Sequence, residues 1–183
     1  MKMDAPPSLP HQIVVMGVSA VGKTVIGRGI ATQLSVPFID ADTLHPRENV
    51  AKMAAGTPLN DDDRWPWLDA VGETAADSPD GIVVACSALR RVYRDRIRKH
   101  SPRAVFVQLT GSPQLLAERA AERTDHFMPQ SLLASQLALL EVLDDDEAGV
   151  SVDVSPTPDA IIAMALQLLP GVVSTIEITK REQ

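Results

Sequence analysis

The run Gly17-Val18-Ser19-Ala20-Val21-Gly22-Lys23-Thr24 follows directly on the apolar stretch Ile13-Val14-Val15-Met16 and constrains this chain more than any other feature. Gly-x-x-x-x-Gly-Lys-Thr between an apolar run and a helical pattern is the spelling of a phosphate-binding loop. Its two glycines let the backbone curl until successive N–H groups face inward toward phosphate oxygens. In this pattern Lys23 reaches the β- and γ-phosphates, and the Thr24 hydroxyl ligates Mg²⁺. A helix over Lys23 to Leu34 adds the positive end of its dipole. All eight residues, Gly17 to Thr24, are therefore candidate nucleotide-binding residues, and a strand feeding a helix calls for an α/β fold.

The rest of the chain continues that alternation. Pro37 to Asp40, Ile82 to Cys86 and Ala104 to Leu109 are short apolar runs rich in β-branched residues, as strands covered on both faces are. Val150 to Val154 is a less apolar fifth run. Helical patterns lie between them, which predicts a three-layer α/β fold with a central parallel sheet and helices on both faces, and the phosphate-binding loop makes it one of the P-loop NTPase/kinase type. A last helix is expected over Ala160 to Leu169, stopped by Pro170-Gly171, with 172–179 open between strand and helix extension. The 183 residues suit one domain, 11–183, behind a proline-rich leader at 1–10 that reads as disordered. Two stretches interrupt the alternation: about 42–70, expected to bind substrate, and about 119–141, expected to form a helical lid.

Charge and composition narrow the partners. A net charge of −7 argues against nucleic acid or an anionic membrane, both of which need a basic surface. No apolar stretch approaches the roughly 20 residues that span a bilayer. One cysteine, Cys86, excludes an internal disulfide and fits a reducing, cytoplasmic setting. Its place at a strand end reads as a buried apolar filler.

The second strand runs into Asp40-Ala41-Asp42, and residues two apart in an extended chain point to the same side. Such a carboxylate pair suits phosphoryl transfer. Asp40 is assigned with Thr24 to the magnesium shell and Asp42 to the acceptor hydroxyl, whose proton it takes, with the division between them open. The competing reading is a turn or helix cap. Arg90 and Arg94 fall one helical turn apart in an arginine-rich segment and read as a site-facing pair on an otherwise solvated helix. Arg119 and Arg123 are also one turn apart, with Glu118 and Glu122 as rival salt-bridge partners. The acidic run Asp144-Asp145-Asp146-Glu147 reads as an exposed loop rather than a metal site. Trp65 and Trp67, flanking Pro66, are expected to pack the substrate region against the core.

Several motifs together resemble the gluconate kinases of the small P-loop type. They are Asp40-Ala41-Asp42-Thr43-Leu44-His45-Pro46, Asn49, Lys52-Met53, and Gly56 through Leu68 with its Arg64-Trp65-Pro66-Trp67-Leu68 end. Cys86-Ser87-Ala88-Leu89-Arg90, Tyr93-Arg94-Asp95, His126-Phe127-Met128 and Ser174-Thr175-Ile176-Glu177 extend the likeness over nearly the whole chain. Arg90 stands where that family often has Lys, and Asn60 where Thr is common. The resemblance implies ATP- and Mg²⁺-dependent phosphorylation of D-gluconate, and a homodimer. Lid arginines in related kinases cover the phosphates, so Arg123 joins Lys23 and Asp42 as catalytic and Arg119 joins the nucleotide site. A polyol with one carboxylate needs cations and hydrogen-bonding groups. His45, Arg47, Lys52, Arg64 and Arg90 are the cationic candidates, with Asp42, Asn60 and Ser87 for hydroxyls. Arg64 is first choice for the carboxylate, because guanidinium pairs with it bidentately. It has Asp61 and Asp63 as rival partners. His45 has a turn-capping alternative and Lys52 a solvated one. A shikimate kinase or a non-catalytic nucleotide sensor is the runner-up.

Overall fold

β1 (Gln12–Met16) is buried at every position and lies in the middle of a five-stranded sheet. The computed structural model describes residues 12–122 and 130–181. The other strands are β2 (Phe38–Asp40), β3 (Ile82–Ala85), β4 (Val105–Thr110) and β5 (Gly149–Asp153), in the order β2-β3-β1-β4-β5. Every pairing is parallel, with Val14 opposite Val84 on one side and Phe106 on the other. All five expected strands are present. β5 reads as less apolar because it is an edge strand whose Ser151 and Asp153 are exposed.

The pleat sends alternate residues to opposite faces, and each face builds its own core. Ile13 and Val15 pack with Ile26 and Ile30 of α1 (Lys23–Leu34) and with Ile161, Ala165 and Leu169 of α7 (Pro158–Arg181). Leu116 of α5 (Pro113–Glu122) and Leu133 of α6 (Gln130–Leu139) join that face. Val14 and Met16 turn the other way, to Trp67, Leu68 and Val71 of α3 (Asp61–Ala76) and Ile97 of α4 (Arg91–His100). Each fully buried aliphatic side chain contributes about 1.5–3 kcal/mol. The two helices α3 and α4 approach closely at Gly72, where a Cβ would come within 2.7 Å of the Ile97 carbonyl oxygen.

The last helix differs from expectation. Pro170-Gly171 does not stop it: α7 runs from Pro158 through Arg181, so 172–179 is helix extension. A proline inside a helix removes one i→i−4 hydrogen bond and crowds one carbonyl. Here the apolar face through Leu169 anchors the turns before it, and the backbone continues. The leader expected at 1–10 lies outside the described residues. No helix among the described residues is long and apolar enough to cross a membrane.

This topology fixes where a ligand can sit. The connection leaving β1 travels outward past β3 to the β2 edge, and that leaving β3 crosses β1 in the opposite direction to reach β4. The crevice of such a sheet opens beyond the carboxyl ends of the strands at that reversal. The Gly17 N–H crosses it, donating to the Ser87 carbonyl at 3.3 Å.

Candidate active site

The loop from Gly17 to Thr24 lies at the carboxyl end of β1. Gly17 has φ +144° and Gly22 φ +102°, backbone that side-chain-bearing residues rarely adopt, and a Cβ on Gly17 would meet the Leu109 carbonyl oxygen at 2.9 Å. Gly22 caps α1, so Lys23 and Thr24 open that helix. Ala20 takes φ 64° with no glycine to ease it, a local strain of about 1 kcal/mol. Lys23 Nζ donates to the Val18 carbonyl at 3.0 Å. The N–H of the same peptide group, on Ser19, donates to Gln136 Oε1 of α6 at 2.7 Å.

Two hydrogen bonds orient the carboxylate at the end of β2. Thr24 Oγ1 donates to Asp40 Oδ2 at 3.0 Å, and the Asp42 N–H donates to Asp40 Oδ1 at 3.2 Å. Asp40 therefore caps the single 3-10 turn Ala41–Leu44, which is the capping reading, while also touching the phosphate-loop threonine. Asp42 is exposed on that turn, and its carboxylate accepts no hydrogen bond among the described residues. The Thr24 and Asp40 oxygens are hard donors of the kind Mg²⁺ takes, alongside phosphate and water. No cluster of three or more His, Cys, Asp or Glu side chains forms a metal site among the described residues.

The 42–70 stretch holds α2 (Arg47–Ala54) and the first turns of α3. Asn60 accepts from the Asp63 N–H while Asp63 accepts from the Asn60 N–H, a reciprocal cap that starts α3. Asp61, Asp62 and Asp63 then sit in the first turn, where the helix dipole favours negative charge. Trp67 Nε1 donates to the Ala41 carbonyl at 2.7 Å, tying α3 to the 3-10 turn. His45 stacks on Trp67 with ring centroids 4.3 Å apart and its Nδ1 lies 3.3 Å from the Asn49 amide nitrogen. Burial, aided by the Arg64 charge and opposed by Asp42, holds the His45 pKa below its usual value of 6.5, so its imidazole is neutral at pH 7. Trp65 packs edge-on against Tyr93 at 5.7 Å.

Three cations of this region, Arg64, Arg90 and Lys52, already have carboxylate partners. Arg64 Nη1 and Arg90 Nη1 both lie 3.0 Å from the Asp61 carboxylate, which also accepts from the Tyr93 hydroxyl. The Tyr93 hydrogen bond first, then the two arginines, holds the Asp61 pKa below the ordinary range despite some desolvation. Of the rival partners for Arg64, Asp61 is the one realised. Lys52 pairs with Asp63 instead of standing free in solvent. Asn60 is engaged as the α3 cap. Arg47 is exposed at the start of α2. Ser87 is half-buried, with its carbonyl against Gly17. The structure thus brings Arg64 and Arg90 together on one carboxylate, gathers Asp42 and His45 on one turn, and leaves Arg47 outside both groups.

One sequence reading is overturned, and a second holds for Asp144, Asp145 and Asp146 but not for Glu147. Arg90 precedes α4 in extended backbone, so its spacing from Arg94 does not put both on one face. Arg94 has no exposed side-chain surface and is bonded to both oxygens of buried Glu147 at 2.7 and 2.6 Å, and to the Glu141 carbonyl at 3.1 Å. The acidic run is correspondingly not a simple solvated loop. Glu147 is inside it, where burial alone would raise its pKa and the Arg94 hydrogen bonds hold it low. Asp144 and Asp146 grip Arg91 at 2.9 and 2.8 Å. Cys86 is buried as expected, and desolvation pushes its thiol up to about 12.

On the far side of the phosphate loop, Arg119 Nη2 donates to the Val154 carbonyl at 2.7 Å. It borders a cavity of about 280 Å³ with Val21, Val25, Ile26, Pro158 and Ile161, an apolar hollow with a flat cation at its rim. Glu122 lines the same cavity, and no ion pair joins either glutamate to Arg119 among the described residues. Arg123 and the His126-Phe127-Met128 motif lie outside the described residues. Sequence reasoning missed Asp61 as the hub of the cation cluster, Tyr93 beside it, and Gln136. The first was hidden in an acidic triplet that reads as a helix start. The last was a lone amide in an apolar helix.

Comparison with known proteins agrees with this geometry. Residues 19–146 match the shikimate kinase family. A gluconokinase of Gluconobacter oxydans is 44% identical over 84% of this chain and 88% of its own. The thermoresistant gluconokinase of Escherichia coli is 38% identical over 93% of this chain and 94% of its own. The crystal structure of a gluconokinase from Sinorhizobium meliloti superposes with a TM-score of 0.84 at 48% identity, covering 93% of this chain and 98% of that one. A shikimate kinase from Aquifex aeolicus shares the fold at a TM-score of 0.57 and 14% identity. Fold, site geometry and these likenesses converge: the chain belongs to the gluconokinase family of shikimate-kinase-like P-loop enzymes.

Proposed function

We propose that this chain transfers the γ-phosphoryl group of ATP to the 6-hydroxyl of D-gluconate, giving 6-phospho-D-gluconate and ADP. One observation carries the reading beyond nucleotide binding. Asp40 is hydrogen-bonded to Thr24 of the phosphate loop, and the exposed carboxylate of Asp42 follows two residues later. An acceptor-side base is thereby tethered to the phosphate cradle through one short turn. The relatives supply the acceptor: those from Gluconobacter oxydans and Escherichia coli, at 44% and 38% identity, are gluconokinases.

In this mechanism the loop N–H groups and Lys23 hold the phosphates, Lys23 leaving the Val18 carbonyl to do so. Mg²⁺, bound by Thr24 with Asp40 in its shell, would offset charge between the β- and γ-phosphates. Asp42 orients the acceptor hydroxyl. As oxygen bonds to the γ-phosphorus and the bond to the ADP oxygen breaks, Asp42 takes the proton. Neutral His45, whose Nδ1 accepts from the Asn49 amide, offers its Nε2–H to a polyol hydroxyl. Arg64 and Arg90 receive the carboxylate, exchanging one anion, Asp61, for another. Arg119 flanks the nucleoside in the apolar hollow, and Arg123 is assigned to the transferring charge.

The test is ADP release measured with D-gluconate, other sugar acids, shikimate and no acceptor. D-gluconate should give the largest stimulation. Turnover no faster with gluconate than with buffer rejects the substrate, and preferential stimulation by shikimate assigns the rival acceptor.

A further inference from the structure

The peptide group joining Val18 to Ser19 is held from both sides. Its carbonyl accepts from Lys23 Nζ at 3.0 Å, and its N–H donates to Gln136 Oε1 at 2.7 Å. Lys23 is the residue of this motif that serves the β- and γ-phosphates, which places this peptide at the terminal end of the phosphate path. The other partner comes from a helix 117 residues further along the chain.

Gln136 is an unusual residue for its position. On α6, Leu133 is buried and Leu137 packs against the same core, as does Leu140 just past the helix end, so this face docks by apolar contact. Gln136 lies on that face, three residues after Leu133 and half-buried. A polar amide in an apolar face needs a hydrogen-bond partner, and among the described residues the one it has is a phosphate-loop N–H. The Ser19 hydrogen atom is directed at one acceptor at a time. A neutral amide oxygen is a weaker acceptor than a charged phosphate oxygen.

We propose that Gln136 competes with the terminal phosphates of the nucleotide for the Ser19 N–H, so that it acts as a latch between α6 and the phosphate loop which a triphosphate must displace. This rests on the reading of Gly17 to Thr24 as the nucleotide site, and adds to it a residue that sets affinity from outside the motif. Displacement also gives α6 a means of sensing occupancy, since its polar tether is exchanged when the phosphate arrives. Gln136 is a positioning residue here, acting through the loop.

The direction of the effect separates competition from a direct contact to ligand. Binding of a non-hydrolysable ATP analogue with Mg²⁺, and of AMP, is measured by calorimetry on the full chain. Gln136→Leu keeps the apolar docking face and removes the competitor. It should bind the analogue about two- to tenfold more tightly, the range of one exchanged hydrogen bond, with AMP unchanged. Unchanged or weaker analogue binding overturns the proposal, because a residue that touches the triphosphate, or only supports the fold, cannot tighten it. Gln136→Glu puts a carboxylate on the same N–H, and should weaken the analogue about tenfold or more through stronger competition and like-charge repulsion. Wild-type affinity in that variant also overturns it, and decides the matter if the leucine variant does not fold. Neither measurement involves a sugar acid. Protein that binds the analogue without phosphorylating gluconate therefore breaks the proposed substrate and leaves the latch standing, whereas wild-type protein that binds no analogue breaks both.

Discussion

The phosphate loop owes its shape to backbone, and the acceptor-side cluster around Asp61 owes its shape to charged side chains holding one another. Gly17 and Gly22 sit in left-handed conformations between a buried strand and a helix start, so the loop is determined by covalent geometry and packing. Around Asp61, by contrast, Arg64, Arg90 and Tyr93 converge on a half-exposed carboxylate, with Lys52 on Asp63 nearby. The first arrangement fixes the direction of its backbone donors, with the Ser19 N–H held by Gln136. The second keeps cations ordered by giving them a resident anion, which the proposed sugar carboxylate would replace with little reorganisation. A nucleotide site can thus be shared across a fold family while acceptor choice is carried by side chains.

The sharpest way to break this comparison is to remove the two groups on which each half depends for chemistry. Asp42→Asn should lower kcat for gluconate phosphorylation by about 10²–10⁴-fold, the span for a lost general base, with folding unchanged because Asp42 is exposed. Lys23→Ala should cost about 10²–10³-fold through lost charge stabilisation of the phosphates. Steady-state ADP release and circular dichroism check both. Near-normal turnover in Asp42→Asn would end its proposed role as base.

The frame behind the acceptor side is predicted to be the more fragile to single charge changes. Arg94 joins Glu147 to the Glu141 and Val142 carbonyls, with neither side chain of the ion pair exposed. Removing Arg94 strips the buried Glu147 carboxylate of its two shortest hydrogen bonds and leaves only Arg98, at 3.4 Å, to pair with its charge among the described residues. Arg94→Met should therefore destabilise by about 3–5 kcal/mol, read from urea unfolding. A loss under about 1 kcal/mol would mean that water reaches Glu147 and that charge pairing does not carry this half of the frame.

Arg64→Lys sharpens the comparison at smaller scale. Lysine keeps the charge but loses the planar fork, so KM for gluconate should rise about tenfold while KM for ATP stays put. An effect on ATP alone would assign Arg64 to the nucleotide half.

The same contrast explains what the sequence disclosed. Backbone-determined structure leaves spellings: Gly-x-x-x-x-Gly-Lys-Thr after an apolar run located β1, the loop and the start of α1, and the alternation of β-branched runs located the whole parallel sheet. Charge-determined structure does not. Arg90 and Arg94 are spaced like neighbours on a helix, yet one lies in extended chain and the other is buried, because the helix begins one residue later than the spacing assumes. Glu147 ends an acidic run that reads as solvent-facing, and nothing local marks the buried arginine 53 residues away as its partner. Pro170-Gly171 misled for the opposite reason. Local propensity argues for a stop, and the continuing helix overrides it.

The smallest expected effect concerns His45, which belongs to neither extreme: a titratable ring held by stacking on Trp67 rather than by an ion pair. Its folded pKa lies below 6.5 through burial and the Arg64 charge. The unfolded chain thus binds its proton more readily than the folded one, so this contribution to stability is full above about pH 6.5 and declines as pH falls through that value toward the folded pKa. The lowered carboxylates, Asp61 among them, act separately. Their contributions are present above their usual value of 3.8 and are lost only below it. Between pH 7 and pH 5 the melting temperature should then fall by about 0.5–2 °C, the shift for a few tenths of a kcal/mol in a chain of this size. His45→Gln, which cannot titrate, should flatten that stretch of the profile and leave the fall below pH 4 intact. A wild-type profile already flat from pH 7 to pH 5 would show that the ring takes its proton without leaving the Trp67 face, and would move His45 to the charge-determined side of the comparison.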